Sequence, residues 1–346
     1  MPAYLGGHGY FPSGLPQLQA AIAATYNGRG LPTDPEQIMV TPGALTAAAV
    51  VAQALTGPRD RVLVESPVYP NATQAIRHSG ARPTGSPVDP DGWDLDAVGA
   101  ALRNVAPTLA YLIPDFQNPT GHLMSEDQRD VYARHLRRSG TVAVVDEAHQ
   151  ALALDGQAMP RPFASFAPST ITLGSASKTF WGGLRLGWIR APHKQMERLT
   201  TARLGLDLGA PVMEQLVLTR LLADPAPVIE AHRDRLRIQR DALLSAITTE
   251  LPDWRFHRPG GGLAVWCELP GALGTALVAE AERLGVIIAP GPAFAVEGGL
   301  DRFVRIPWTR PADELEDAVG RLAEAYATVS SRTSPASRRP ARVMVA

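Results

Sequence analysis

A single cysteine, Cys267, stands in a chain of 346 residues, so no disulfide can close within it and a reducing compartment is its natural home. A surplus of either charge is missing too. The formal net charge is −1, which gives no global pull toward nucleic acid or an anionic membrane. No apolar run comes near the ~18 residues that would suggest a membrane span. The opening M-P-A-Y-L-G-G-H has neither the basic nor the apolar region of a signal peptide. These absences point to a soluble, cytoplasmic protein. What is present is ordinary for a globular chain, with 45% hydrophobic and 19% charged residues, and the length allows a core in two lobes. There is no internal repeat, and no metal site is expected.

Read in order, strands alternate with helices. Residues 1–16 are rich in Gly and Pro and read as irregular, the first nine as an N-terminal arm. Gln17–Tyr26 places Leu18, Ala21, Ile22 and Thr25 at helical spacing. Ile38-Met39-Val40 is a short strand, Thr41-Pro42-Gly43 a turn, and Ala44–Leu55 an alanine-rich helix. That order leaves free backbone N–H groups at the helix start, where an anion can bind. Further strands fall at Val62–Val64, Leu109–Ile113, Val142–Val145, Ile171–Leu173 and Gly187–Ile189. Helices separate them at Ala72–His78, at Asp94–Val105 and from the capping box Ser125-Glu126-Asp127-Gln128 to Arg138. The alternation predicts an α/β fold, a mostly parallel central sheet covered by helices on both faces.

Beyond Trp188 come helices at Lys194–Leu204, Val212–Leu222 and Val228–Leu251, then Arg255-Phe256-His257 and a glycine triplet at 260–262. Strands at Leu263–Glu268 and Val286–Ala289, the run Phe303-Val304-Arg305-Ile306, and helices Thr275–Leu284 and Glu314–Val329 complete a smaller C-terminal α+β lobe. The expected division is 10–235 for the large domain, 236–330 for the small one and 331–346 for a disordered Ser/Arg/Pro-rich tail.

In such sheets ligands sit at the carboxyl ends of the strands. Gly43, Tyr69 in P-V-Y-P-N, Asn118 in N-P-T-G, Asp146 in D-E-A-H and Lys178 all fall at such ends. The stretch Thr170–Gly187, containing I-T-L-G-S-A-S-K-T-F-W-G-G-L-R-L-G, delivers Lys178 and, past a glycine pair, Arg185. A buried ammonium is costly unless it is paired or gives up its proton. A lysine that gives up its proton readily is what Schiff-base chemistry needs. Taken alone, the stretch is also compatible with a solvated surface loop. A lysine, a strand-end aspartate, an asparagine, a flat aromatic and a phosphate cup together fit pyridoxal phosphate (PLP). Its aldehyde forms an imine with lysine, its ring nitrogen needs a carboxylate, and its phosphate needs N–H groups and an arginine.

S-A-S-K, G-G-L-R-L-G, N-P-T-G, D-E-A-H, P-V-Y-P-N, Y-F-P-S-G and V-R-I-P, in their order, resemble the class I/II aminotransferases of fold type I over roughly residues 4–330. Within that group the chain is most similar to the aminotransferase-like domain of MocR/GntR-type bacterial regulators. The resemblance implies Lys178 as the Schiff-base lysine and proton shuttle, with Asp146 and Tyr69 as further catalytic groups. It implies phosphate contacts from Ser175, Arg185 and the backbone of Gly43 and Ala44. Asn118 would hydrogen-bond the ring O3′, Asp146 would pair with the ring nitrogen, and Tyr69 would stack on the ring. Arg305 would grip the substrate carboxylate, with Asn118 nearby. Tyr10 would reach the phosphate of a neighbouring subunit, which implies a homodimer with shared active sites. On the residues alone other roles stand open: a helix N-cap for Asp146, a plain Asn-Pro turn for Asn118, and ion pairs for Arg185 and Arg305.

Two departures from the family pattern matter. Where the family usually has a tyrosine shortly after the aspartate, bonded to O3′, this chain has His149, expected to donate to O3′ in its place or to titrate near neutral pH. The chain also begins close to the Tyr10 motif, without the N-terminal segment of homologous enzymes or the winged helix-turn-helix of the regulators. Met1 is therefore expected to mark a truncated gene model. The functional expectation is a PLP-dependent aminotransferase moving an amino group between an amino acid and a 2-oxo acid. The alternatives are a PLP- and effector-binding sensor domain with little or no turnover, and a different PLP reaction such as β-elimination or decarboxylation.

Overall fold

The computed structural model describes residue 4, residues 6–88 and residues 90–333; the expected tail from 334 onward lies outside them. The large sheet has seven strands: β1 (Ile38–Thr41), β2 (Arg61–Ser66), β3 (Arg82–Pro87), β4 (Leu109–Leu112), β5 (Val142–Asp146), β6 (Ile171–Ser175) and β7 (Gly187–Arg190). Their order is β1-β7-β6-β5-β4-β2-β3. Neighbours from β3 to β6 run parallel, and β7 is antiparallel to both β6 and β1. The mostly parallel sheet is as expected. Every residue of β4 and β6 is buried, as strands covered on both faces require.

β3 has no counterpart in the sequence pattern, because Arg82-Pro83-Thr84-Gly85-Ser86-Pro87 reads as a turn. It survives as a strand because it is the edge of the sheet, where a missing proline N–H can face away from the ladder.

Helices α1 (Pro16–Gly28), α2 (Ala44–Leu55), α3 (Pro70–His78), α4 (Leu95–Val105), α5 (Glu126–Ser139), α6 (Ala176–Thr179), α7 (His193–Leu204) and α8 (Val212–Ala223) accompany the large sheet. Val62 and Val64 of β2 join one apolar cluster with Val50, Ile76 and Leu199, from α2, α3 and α7. Leu63 joins the opposite one with Leu102, Tyr132 and Leu136, from α4 and α5. The period of two along a strand thus builds both layers. Local capping fixes where helices begin. Asp94 accepts from the N–H groups of Asp96 and Ala97 at α4, and the Ser125–Gln128 box opens α5, which Gly140 ends at φ +70.

The 25-residue helix α9 (Ala226–Glu250) follows. Then come β8 (Arg255–Phe256), β9 (Ala264–Glu268), α10 (Gly274–Arg283), β10 (Ala289–Pro290), β11 (Phe303–Pro307) and α11 (Ala312–Thr333). The four strands form an antiparallel sheet, β10-β11-β9-β8, over a separate core that includes Leu243, Leu277, Trp308 and Leu322. The division expected at 235/236 falls inside α9, so one continuous helix joins the two sheets. The strand expected at Val286–Ala289 shrinks to Ala289–Pro290, and α11 runs on to Thr333, past the expected start of the tail. No described helix is long and apolar enough to cross a membrane.

Candidate active site

The chain leaving β1, β2, β4, β5 and β6 at their carboxyl ends lines one cavity of about 560 Å³. Gly43, Ala44, Tyr69, Asn118, Asp146, His149, Ser175, Lys178, Arg185 and Arg305 all line it. Tyr10 does not; it is 56% exposed.

One end of the cavity suits an anion. Gly43 precedes α2 with φ +94, a conformation that favours glycine, and a Cβ there would lie 3.1 Å from Arg185 Nη2. The guanidinium therefore stands beside the first turn of α2, where unpaired N–H groups and the helix dipole already favour negative charge. A Cβ at Gly187 would fall 2.5 Å from Ala44 N, so only a glycine lets β7 come this close. Ser177 also lines the cavity, and its Oγ is buried with no hydrogen-bond partner among the described residues. Sequence reasoning named Ser175 and passed over Ser177, two residues on in the same motif.

Lys178 sits on α6, directly after β6. Desolvation lowers its pKa; Arg305 and Arg185 lower it further, and Asp146 opposes them. Asp146 closes β5. Its Oδ2 accepts from Tyr111 Oη at 2.7 Å and its Oδ1 from the Ala148 N–H at 2.9 Å. The aspartate therefore does form a local turn, as the N-cap alternative supposes, but with one oxygen only. Burial raises its pKa, while Tyr111, the Ala148 N–H and Lys178 work against the rise and Glu147 adds to it. Tyr111 escaped the sequence reading because L-A-Y-L looks like a core strand.

Arg305 Nε donates to Asn118 Oδ1 at 3.0 Å, tying β11 of the small lobe to the loop after β4. Burial pushes its pKa down to about 10, with Tyr69 opposing. Its Nε partner is an amide and not a carboxylate, so the positive charge remains available to an anion in the cavity. Tyr69 is half-buried, and its hydroxyl accepts from Asn71 Nδ2 at 2.9 Å.

His149 departs from both expected behaviours. Its Nδ1 lies 3.0 Å from the Phe116 carbonyl oxygen. A carbonyl only accepts, so Nδ1 carries the proton and Nε2 keeps its lone pair. Burial pushes the pKa down to about 4; the Phe116 carbonyl and Asp115 oppose this, and Lys178 and Arg305 reinforce it. The ring is a neutral acceptor at Nε2 and does not titrate near pH 7. The unfolded chain binds a proton at pH 6.5 and the folded one only at about 4, so His149 makes stability rise with pH across that window. The contribution is lost as pH falls, by about 3 kcal/mol in total. Urea unfolding of His149→Phe from pH 4 to 7 should show a curve flatter than wild type by about that amount; parallel curves would mean the ring binds its proton equally well in the folded and unfolded chain.

A family model described as Aminotransferase class I and II matches residues 6–322. The chain belongs to that family. Aminotransferases of this class and fold use pyridoxal 5′-phosphate. The 2-aminoadipate transaminase of Thermus thermophilus is 33% identical to this aminotransferase over 325 residues, 91% of this chain and 81% of that one. The crystal structure of LysN, the α-aminoadipate aminotransferase of that organism, complexed with N-(5′-phosphopyridoxyl)-L-leucine, matches with a TM-score of 0.87 at 31% identity. The match covers 93% of this chain and 84% of LysN. An uncharacterized HTH-type transcriptional regulator of Bacillus subtilis, YdfD, is 26% identical over 330 residues, 93% of this chain and 67% of the regulator. The residues present fit the cofactor: an anion cup with an unpartnered Ser177 hydroxyl at one end, a half-buried carboxylate and a lysine of lowered pKa beyond it.

Proposed function

We propose that this aminotransferase moves an amino group between an amino acid and a 2-oxo acid, with Lys178 as the Schiff-base lysine and proton carrier. One observation carries the reading. A lysine of lowered pKa, a half-buried carboxylate and an arginine whose Nε partner is an amide line a single cavity. Pyridoxal phosphate, when bound, supplies an aldehyde that condenses with amines and a ring that withdraws electrons from the carbon bearing the amino group. Gly43, Ala44, Ser175, Ser177 and Arg185 would hold its phosphate, Asp146 its ring nitrogen, and Tyr69 one flat face. Asn118 Oδ1 accepts from Arg305 Nε, which leaves Nδ2 free to donate to the ring O3′ if it is bound; His149 would border the ring as an acceptor. Lys178 Nζ, neutral more often than a free lysine, would hold the cofactor through its aldehyde carbon and would take or return a proton at the substrate α-carbon. Arg305, with Nε engaged, presents its two Nη groups to the substrate carboxylate.

Tyr10 fits a homodimer in which it reaches the second copy's site. It is exposed, as are Trp181, Leu204, Leu206, Met213 and Val217, apolar side chains that a second copy could cover. A monomer by sedimentation velocity with PLP present would remove this part of the reading.

The deciding experiment mixes the PLP-loaded protein with a panel of amino acids in a single half-reaction. Release of a 2-oxo acid with stoichiometric pyridoxamine phosphate is the expected result. The kinship with YdfD favours one second reading, a sensor, and its outcome is different: a spectral shift on adding the amino acid, with no 2-oxo acid released.

A further inference from the structure

At the carboxyl end of β2 stands a carboxylate for which the reaction has no use. Glu65 is 2% exposed. Its Oε1 accepts from Trp93 Nε1 at 2.7 Å; its Oε2 accepts from the Ile113 N–H and from Gln117 Nε2, both at 3.1 Å. All three partners are donors, so the pocket is built for the ionised form. Burial still pushes the carboxyl up to about 7, with the three donors holding it lower and Asp146 adding to the rise. Retaining a buried charge without a cation is expensive, which makes a purely space-filling role a poor account of it.

Gln117 explains what the carboxylate holds. It is buried as well, and both ends of its amide are used. Nε2 also donates to the Pro67 carbonyl at 2.8 Å, and Oε1 accepts from the N–H and the hydroxyl of Thr120, each at 2.9 Å. The Glu65–Gln117 link therefore spans two loops, one running from Pro67 to Tyr69 after β2 and one carrying Asn118 after β4. Asn118 in turn holds Arg305 Nε. A satisfied buried network of this kind selects one arrangement of the segments it joins, and a half-satisfied one does not.

We propose that Glu65 is a positioning residue for substrate binding. Acting through Gln117, it fixes the Asn118 loop against the Tyr69 loop and so sets where the Arg305 guanidinium stands. The kinetic part of this rests on the transaminase reading; the structural part does not.

Glu65→Gln keeps the shape and replaces one acceptor oxygen with an NH₂ group that faces donors. In the PLP-loaded variant the KM for the amino acid should rise about tenfold, with kcat within about threefold of wild type. Amides of Gln117, Thr120 and Gly121 should exchange with deuterium about tenfold faster, while those of Val144 and Val145 in β5 keep their wild-type rates. Gln117→Leu breaks the same link from its other end and should reproduce both effects. The double variant should be no worse than either single, since one link cannot be lost twice. If Glu65→Gln does not fold, Gln117→Leu carries both readouts alone. Unchanged KM, exchange accelerated evenly across the sheet, or effects that multiply in the double variant would each overturn the proposal. Should the wild type show no turnover, the exchange pattern and the amino-acid Kd of the PLP-loaded proteins replace the kinetic readout. The two readings can therefore fail separately.

Discussion

Lys178→Ala is expected to lower transamination by more than about 10⁴-fold while leaving the protein folded and able to hold PLP. The size follows from two lost roles. In the proposed reaction the amine would be both the nucleophile and the group that moves a proton at the substrate α-carbon, and each role is worth about 10²-fold or more. Preservation of the fold follows from where the side chain lies: Lys178 is exposed toward the cavity on a four-residue helix. Its backbone carbonyl, 3.2 Å from His232 Nε2, is unaffected by truncation, so the melting temperature should move little. The end of the cavity that suits an anion, at Gly43, Ala44 and Arg185, is also untouched. The variant should therefore co-purify with PLP yet lack the absorbance of lysine-bound cofactor. Retention of that absorbance, or of turnover above about 1% of wild type, would shift the chemistry to another amine.

The residues legible in the sequence share a trait: each puts an uncommon chemistry at a strand end, where loops carry function and core packing does not dictate the residue. Lys178, Asp146 and Asn118 stood out for that reason, Arg305 through the V-R-I-P resemblance alone, and the structure gathers all four in one cavity. Tyr111 sits inside a run that reads as an ordinary strand, L-A-Y-L; Glu65 stands at a strand end but matches no motif, and the partners of both come from distant parts of the chain. No local pattern reports a tyrosine hydroxyl meeting Asp146 or a carboxylate meeting Trp93. The protonation of His149 was hidden in the same way, because the Phe116 carbonyl decides it across 33 residues of sequence. For the fold, capping and periodicity placed α2 and α5 closely. Two edge strands misled in opposite directions. β3 is masked by its prolines, and Val286–Ile288 is apolar without being paired, leaving Ile287 82% exposed. Edge positions relax the pattern that burial otherwise imposes.

Asp146→Ala is expected to reduce kcat by about 10³-fold and to weaken PLP retention more than tenfold, magnitudes typical of removing a charged group aimed at the reacting system. Alanine alone does not settle the role, since it also strips the Tyr111 hydroxyl and the Ala148 N–H of their acceptor. That loss costs about 1–3 kcal/mol of stability on its own. Asp146→Asn separates the two effects. Asparagine caps a turn about as well as aspartate and keeps a carbonyl oxygen for one of the two donors, but it carries no charge. If the aspartate only shapes the turn after β5, the asparagine variant should turn over nearly as fast as wild type. If the charge serves the cofactor's ring nitrogen, the asparagine variant should lose activity almost as fully as alanine while unfolding close to wild type. The second result is expected, because the carboxylate lines the cavity beside Lys178 and turns one oxygen toward Tyr111 at 2.7 Å, an arrangement a simple cap does not need. Tyr111→Phe should then fall between: the charge remains, its hydroxyl donor is gone, and the Asp146 pKa rises further as that donor's lowering effect disappears.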